Sequence, residues 1–431
     1  MKKHMSLIIA LTVILSLTGC AKSDAEILSS AAAGEYYPTD IGGSYSERGD
    51  SYHYAADDAE EEMMMEAIAD TATKADPTDG EIFMPDVPDD KYNEPIQPAA
   101  GLLTGGEWRD NDHWADWNAL YSSHPEWNSY KEEWSIQADQ RITVTVTSNG
   151  LPVEGASVSA CGWNAVTDNK GKAYTFFKET GDHDDVTLTV SYGDTVHTEE
   201  FPLSDGEHFY DVELENIQPT SEKKLDLLIM CDTTGSMGDE LEFLKTELRD
   251  IIATIKKDNA NIPTRLSVNF YRDEGDDYIV RQYLFTTHVE DAYSAISEQY
   301  ASGGGDFPEA VHSALKSAIS EHEWDNDAVK LMFLVLDAPP HSDNQQIVDE
   351  VSQYITLAAE KGIRIIPIAS SGVDKTTEYL LRTMAFYTGG TYTFLTDDSG
   401  IGGSHIQPTV GAYNVERLND MMVRIVNGYL N

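Results

Sequence analysis

The sequence predicts a multidomain chain. Its C-terminal part is an α/β domain on a doubly wound, mainly parallel sheet, preceded by a small β-sandwich and a disordered acidic tether. Three observations carry this. From residue 223 onward, apolar runs of strand length alternate with segments of helical spacing. Between 140 and 216, short β-branched runs are separated by turn signals. Ahead of both, residues 21–100 hold 20 acidic and four basic residues with few Leu, Val or Ile, too little apolar surface to offset the entropy of ordering.

The 431 residues carry 29 Lys+Arg against 75 Asp+Glu, a net charge of −46. Binding to a polyphosphate needs clustered cations that release counterions, so nucleic acid is excluded as a partner, as is docking on anionic lipid through a basic patch. With Cys20, Cys161 and Cys231 alone, a disulfide scaffold is excluded too.

Lys2 and Lys3 precede an apolar run at 7–17 that ends in Leu17-Thr18-Gly19-Cys20. The run is shorter than the ~20 residues a membrane-spanning helix needs and reads as a signal peptide over 1–20. The ending resembles a bacterial lipobox. That implies acylation of Cys20 and a chain held by its N-terminal lipid at the cell membrane or cell surface, facing away from the cytoplasm. Lys22 is not the Asp that retains a lipoprotein in an inner membrane. Residues 21–100 would then form the tether, reaching roughly 50 Å as a flexible coil.

Residues 101–139 contain five Trp: Trp108, Trp114, Trp117, Trp127 and Trp134. A glycan- or peptide-binding patch is one reading. The preferred one is a packing segment whose indoles bury against a neighbouring domain, because large aromatics need partners.

In 140–216, strands are expected at 142–147, 156–160, 173–177, 186–192 and 209–214, with turns at Asn149-Gly150, Asn169-Lys170-Gly171, Tyr192-Gly193-Asp194 and Asp205-Gly206. Gly150-Leu-Pro-Val-Glu-Gly155-Ala-Ser-Val158, followed by Thr167-Asp168-Asn-Lys-Gly171, resembles the carboxypeptidase-regulatory-like and Ig-like β modules. Such modules space or present other domains. Cys161 and Trp163 are expected in its core.

The C-terminal part, 223–431, is expected to run as follows: strand 225–231, helix 240–257, strands 266–271 and 278–286, helices 289–300 and 308–322, strand 329–336, helix 344–361, strand 363–368, helix 375–387, strand 391–395 and helix 413–430. In open α/β sheets the ligand site lies beyond the carboxyl ends of the strands. Three loops belong there. Asp232-Thr233-Thr234-Gly235-Ser236 follows the first strand, Gly303-Gly-Gly-Asp306-Phe307-Pro308-Glu309 precedes the 308 helix, and Asp337-Ala-Pro-Pro-His341 follows the 329–336 strand. Spacing by two puts Asp232, Thr234 and Ser236 on one side of their loop. Carboxylates and hydroxyls without a thiol or paired imidazoles select a hard cation: Mg²⁺ first, with Mn²⁺ or Ca²⁺ as alternatives.

With these motifs, 223–431 resembles a von Willebrand factor type A domain with a metal-ion-dependent adhesion site, a Rossmann-like fold. The family's Asp-x-Ser-x-Ser stands here as Asp232-x-Thr234-x-Ser236, with Thr keeping the hydroxyl. The family's third-loop Asp maps to Asp337. The second loop departs from the usual Thr and resembles the acidic loop of β-integrin I-like domains. This implies Glu309 as a ligand and Asp306 as a ligand to the same or a neighbouring cation.

Asp273 and Asp276, in Tyr271-Arg272-Asp273-Glu274-Gly275-Asp276-Asp277-Tyr278, are read as a second cation site or a rim contact, with a solvated hairpin as the preferred alternative. His341 is expected to fix its turn, and Cys231 to be a buried small hydrophobe. The Gly-rich loop 396–405 lacks the Lys of a phosphate loop, so no nucleotide is expected.

The resemblance implies metal-dependent binding of an extracellular or envelope protein through a partner Asp or Glu; no enzyme activity is expected, because the sequence shows no general base with a partner His, no Gly-x-Ser-x-Gly elbow and no phosphate-loop Lys. A metal-dependent hydrolase or an envelope-assembly factor using the same site is the alternative. The resemblance also implies a last helix that shifts with affinity. With 413–430 closing the sequence, any pull is expected from the N-terminal side, through the β module.

Overall fold

The computed structural model describes residues 99–136, 140–178, 185–202, 207–215, 217 and 222–431. The leader with Cys20 and almost all of the tether lie outside the described residues. No helix among the described residues is long and apolar enough to cross a membrane.

The chain enters as strand β1 (Thr104–Trp108), followed by helices α1 (Trp114–Ser123) and α2 (Glu126–Glu133). Eight strands of the β module come next: β2 (Gln140–Ser148), β3 (Leu151–Pro152), β4 (Ser157–Ala160), β5 (Trp163–Val166), β6 (Lys172–Phe177), β7 (Asp185–Tyr192), β8 (Thr195–Pro202) and β9 (His208–Glu213). They form two four-stranded sheets, β3-β2-β6 with β9 alongside β2, and β5-β4-β7-β8. Ile142, Val144, Val146, Val158, Leu188 and Val190 fill the space between the sheets. Strands β3, β5 and β8 go beyond the sequence expectation. The first two are only two and four residues long, and β8 is largely exposed with weak apolar alternation. Cys161 sits exposed in the β4–β5 turn at φ 54° rather than in the core.

The α/β part follows: β10 (Leu225–Asp232), α3 (Leu241–Asp258), β11 (Thr264–Tyr271), β12 (Val280–Arg281), α4 (Val289–Ser297), α5 (Val311–Leu315), β13 (Val329–Leu336), α6 (Gln345–Lys361), β14 (Ile363–Ala369), α7 (Lys375–Thr388), β15 (Tyr392–Leu395), β16 (Glu416–Arg417) and α8 (Leu418–Leu430). The sheet order is β12-β11-β10-β13-β14-β15-β1-β16, and the run β11-β10-β13-β14-β15 pairs in parallel. Because side chains alternate across a strand, Leu228 and Met230 of β10 enter one face's core while Leu227, Ile229 and Cys231 enter the other. Helix α3 supplies Leu241, Leu244, Leu248, Ile251, Ile252 and Ile255 to the second face, a stripe at helical spacing that packs with α8.

Three expectations are corrected. The strand expected at 278–286 is a two-residue pairing at 280–281 with an isolated bridge from Leu266 to Thr286, because Ser267 and Asn269 draw the intervening backbone in through side-chain hydrogen bonds to Tyr283. The helix expected at 308–322 is a short α-turn followed by π-helix at Lys316–Glu321. The last helix starts at Leu418, since Glu416 and Arg417 pair with β1 instead.

The Trp-rich stretch is part of the α/β sheet rather than a separate segment. β1 lies antiparallel between β15 and β16. Behind it, Trp117 and Trp127 enclose the Arg382 guanidinium, each ring centroid 5.0 Å away, and Asp110 meets that guanidinium at 2.6 and 3.0 Å. Burying a charge demands such pairing. The β module docks on the same side, with Trp163 on Tyr387 at 4.8 Å and Arg364 donating to the Val166 carbonyl at 2.6 Å. At the chain's entry the buried Glu247 of α3 accepts hydrogen bonds from the amides of Gly101, Leu102 and Leu103 at 2.8–3.2 Å.

Candidate metal centre

The site forms where β10 and β13 end. Asp232 is the last residue of β10 and is fully buried. Its Oδ1 accepts both the amide and the hydroxyl of Thr234, at 2.8 and 2.7 Å, a short-range turn that Asp favours. The Thr234 hydroxyl lies 3.2 Å from the Ser236 hydroxyl. Spacing by two thus does bring Asp232, Thr234 and Ser236 together.

Backbone bonds tie the three loops to one another. Ser302 donates to the Thr233 carbonyl at 3.0 Å, Gly235 donates to the Gly303 carbonyl at 3.2 Å, and Glu309 donates to the Pro339 carbonyl at 2.8 Å. This lattice delivers Glu309 and Asp337 to the same place, 2% and 3% exposed. Gly304 is held at φ 72°, and a Cβ there would stand 2.8 Å from Glu309 Oε1, so the close approach of backbone to carboxylate needs glycine.

The three carboxylates share one property. Asp232 Oδ2, Glu309 Oε2 and Asp337 Oδ1 are buried and make no hydrogen bond of normal geometry, as is true of Glu240 Oε2 nearby, while the hydroxyls of Tyr271 and Ser236 lie close enough to Asp232 and Asp337 to offset part of the effect of burial. Burial, then the charges of Asp232, Asp273 and Asp337, push Glu309 up to about 9. Burial, then Asp337, raises Asp232; burial also raises Asp337, with Glu240 and Asp239 adding to it. A carboxylate cluster this short of donors is complementary to a cation. Among the described residues no group of three or more His, Cys, Asp or Glu is by itself placed to hold a metal ion. With the hydroxyls of Thr234 and Ser236 beside them, these carboxylates offer an all-oxygen donor set, the chemistry that hard divalent ions take.

A cavity of about 430 Å³ opens beside these groups. It is lined by Ser236, Asp306, Phe307, Glu309, Asp337 and Ala338 on the side of the sequence-identified loops, and by Ser371, Gly372, Gly403 and Ser404 on the side of two others. Asp306 is exposed at this rim, whereas Glu309 is inside. Asp273 and Asp276 are not among the residues that line this cavity. Asp276 Oδ2 accepts the amides of Gly304 and Asp273 at 2.9 and 3.2 Å, and Asp273 Oδ1 faces His341 Nε2 at 3.0 Å. Asp276 thus braces the glycine turn, and the Asp273–His341 contact ties the 271–278 hairpin to the third loop.

Sequence reasoning misses the second wall. Glu240 reads as the first residue of an amphipathic helix, and the glycines at 400–405 read only against a phosphate loop. Their signal is present as a Gly-rich loop directly after a strand's carboxyl end.

Residues 226–404, under half of the chain, match the family model described as von Willebrand factor A domain, which supports a domain of this kind in that segment. Domains of this family are generally engaged in protein–protein interaction and are often metal-dependent. The chain is also 31% identical over 190 residues, 40% of its length, to an ariadne-like RING finger protein of Acanthamoeba polyphaga mimivirus. It spans 18% of that relative's length.

Proposed function

We propose that this protein is a lipid-anchored surface protein whose von Willebrand factor A domain holds a divalent cation and binds a partner protein through a partner carboxylate. The observation that carries the reading is a set of buried carboxylate oxygens that make no hydrogen bond of normal geometry, Asp232 Oδ2, Glu309 Oε2 and Asp337 Oδ1, beside an open cavity. Unpaired buried charge is costly and is retained where a ligand compensates it.

Asp232, Thr234, Ser236 and Asp337 would hold the ion, with Glu309 as the acidic second-loop ligand and Asp306 at the entrance. Mg²⁺ is the first choice, Mn²⁺ or Ca²⁺ the alternatives. When bound, such an ion supplies a positive centre with a position open to an incoming oxygen. The chain's own groups do the rest. Thr234 orients Asp232 through two hydrogen bonds, the glycine turn leaves room for Glu309, and the cavity admits the Asp or Glu of an extracellular or envelope protein.

Binding rather than catalysis is favoured by the state of the nearby imidazoles. His341 is engaged by Asp273, and His405 lies between two carboxylates. Neither is among the residues that line the cavity, where a general base would have to reach a substrate. The surface location rests on the leader ending in Cys20, and the presenting role of the 140–216 module on its resemblance to carboxypeptidase-regulatory-like modules. The test is direct titration of Mn²⁺ into wild-type and Asp232→Ala protein, reading free Mn²⁺ by electron paramagnetic resonance. Stoichiometric uptake by the wild type alone supports the proposal, and equal behaviour of the two overturns it.

A further inference from the structure

The cavity's second wall is made of backbone from two loops that no strand pairing supports. These are 370–374 after β14, and 396–411 after β15. One buried carboxylate gathers them. Glu240 stands at the start of α3, only four residues beyond Ser236, and its side chain is fully buried. Its Oε1 accepts the Ser371 amide at 3.2 Å and faces His405 Nε2 at 2.8 Å. On its other edge the imidazole places Nδ1 2.8 Å from Asp397 Oδ1, which also accepts the His405 amide at 2.9 Å. The Gly372 amide donates to the Ser404 carbonyl at 3.3 Å, joining the two loops directly. Gly402, at φ 84°, lies so close that a Cβ would overlap Glu240 Oε1. The imidazole is nearly removed from solvent, 2% exposed, although it sits on a loop.

We infer that His405 is a positioning residue. By bridging Glu240 and Asp397 it holds Ser371, Gly372, Gly403 and Ser404 as a fixed wall of the partner cavity. This wall is tied to the metal loop through α3 rather than through the metal. The inference rests on the proposed function only in calling the cavity a partner's entry. The bridge itself is a property of the chain without any ion. A bridging imidazole with a carboxylate on each nitrogen is fully satisfied only as a double donor. Burial opposes its charge, but the hydrogen bonds to Glu240 and Asp397 outweigh this and raise its pKa. Without the bridge, a buried carboxylate and two glycine-rich loops lose their common anchor, and local opening costs little.

Hydrogen exchange of the full chain, with chelator present, tests this. His405→Ala is expected to accelerate exchange of the Ser371 and Gly372 amides and of the amide at position 405, the ones bonded within the bridge, by about tenfold or more, the size of one lost charge-assisted bond, while β10 and β13 keep their protection. The double variant Asp397→Asn/His405→Gln restores a relay of neutral donors. In it the introduced Asn amide donates to the introduced Gln carbonyl, and the Gln amide donates to Glu240. This variant is expected to recover most of the protection. A merely structural contact would not be rescued this way. Unchanged exchange at the rim in His405→Ala overturns the inference, as does an equal loss across β10, or failure of the double variant to recover. In parallel, His405→Ala should keep the wild-type melting shift with Mg²⁺. Absence of that shift in the wild type itself would count against the metal reading and leave the bridge standing.

Discussion

Thr234 folds back on Asp232, giving both its amide and its hydroxyl to Oδ1 at 2.8 and 2.7 Å and leaving Oδ2 buried without a hydrogen bond of normal geometry. One oxygen is thus fixed by the chain and the other is presented. Thr234→Val keeps the shape but removes the hydroxyl that orients Asp232 and stands 3.2 Å from Ser236. It should weaken Mn²⁺ binding by about tenfold or more, while Thr234→Ser, which restores the more common family residue, should stay within a few-fold of wild type. Metal titration of the two variants is the check.

The carboxylates repel one another until a cation arrives. Asp337→Asn removes one charge from the buried set, and in chelator it should raise stability by about 1–3 kcal/mol, since unpaired buried charge is the larger cost. With Mg²⁺ present the order should reverse, the wild type melting higher. Calorimetric melting with and without Mg²⁺ reads both halves.

The same groups set a pH dependence. Glu309 is raised from 4.5 to about 9, and Asp232 and Asp337 are raised as well. A carboxylate raised in the folded state binds protons more tightly there than in the unfolded chain. Its contribution is therefore fully present below the unfolded value near 4.5 and is lost as pH rises through about 9. Chelated protein should melt at progressively lower temperature between those limits. Saturating Mg²⁺, which needs the ionised forms, should flatten or invert the slope.

The sheet and three loops of the site are legible because each rests on local pattern. Leu227, Ile229 and Cys231 alternate with Leu228 and Met230, and the acidic loops follow such strands. What stays hidden depends on distance in sequence. β1 contains two glycines and pairs with β15, which lies far along the chain, so nothing local marks it as a sheet strand. Glu240 and His405 are 165 residues apart and acquire meaning only when their loops meet. Asp306 and Glu309 are not separable by composition; burial separates them.

The entry of the chain differs from expectation in a way that matters mechanically. The sequence places a pull from the N-terminal side through the β module. Instead the chain reaches β1 and the Glu247 clasp on α3 before the module begins, and α3 starts beside the metal loop. Glu247→Ala strips the common acceptor from three amides. It should cost about 2–4 kcal/mol, with Glu247→Gln retaining part of that by keeping one acceptor oxygen. Denaturant unfolding of both variants gives the comparison.

Thermal melting of the full chain in chelator and at millimolar Mg²⁺, with Asp232→Ala alongside, tests the cation-holding role most directly. The wild type should gain several degrees with Mg²⁺ and the Asp232→Ala protein none, because binding to the folded state alone stabilises it. A wild-type melting temperature that does not move with Mg²⁺, Mn²⁺ or Ca²⁺ would contradict the account.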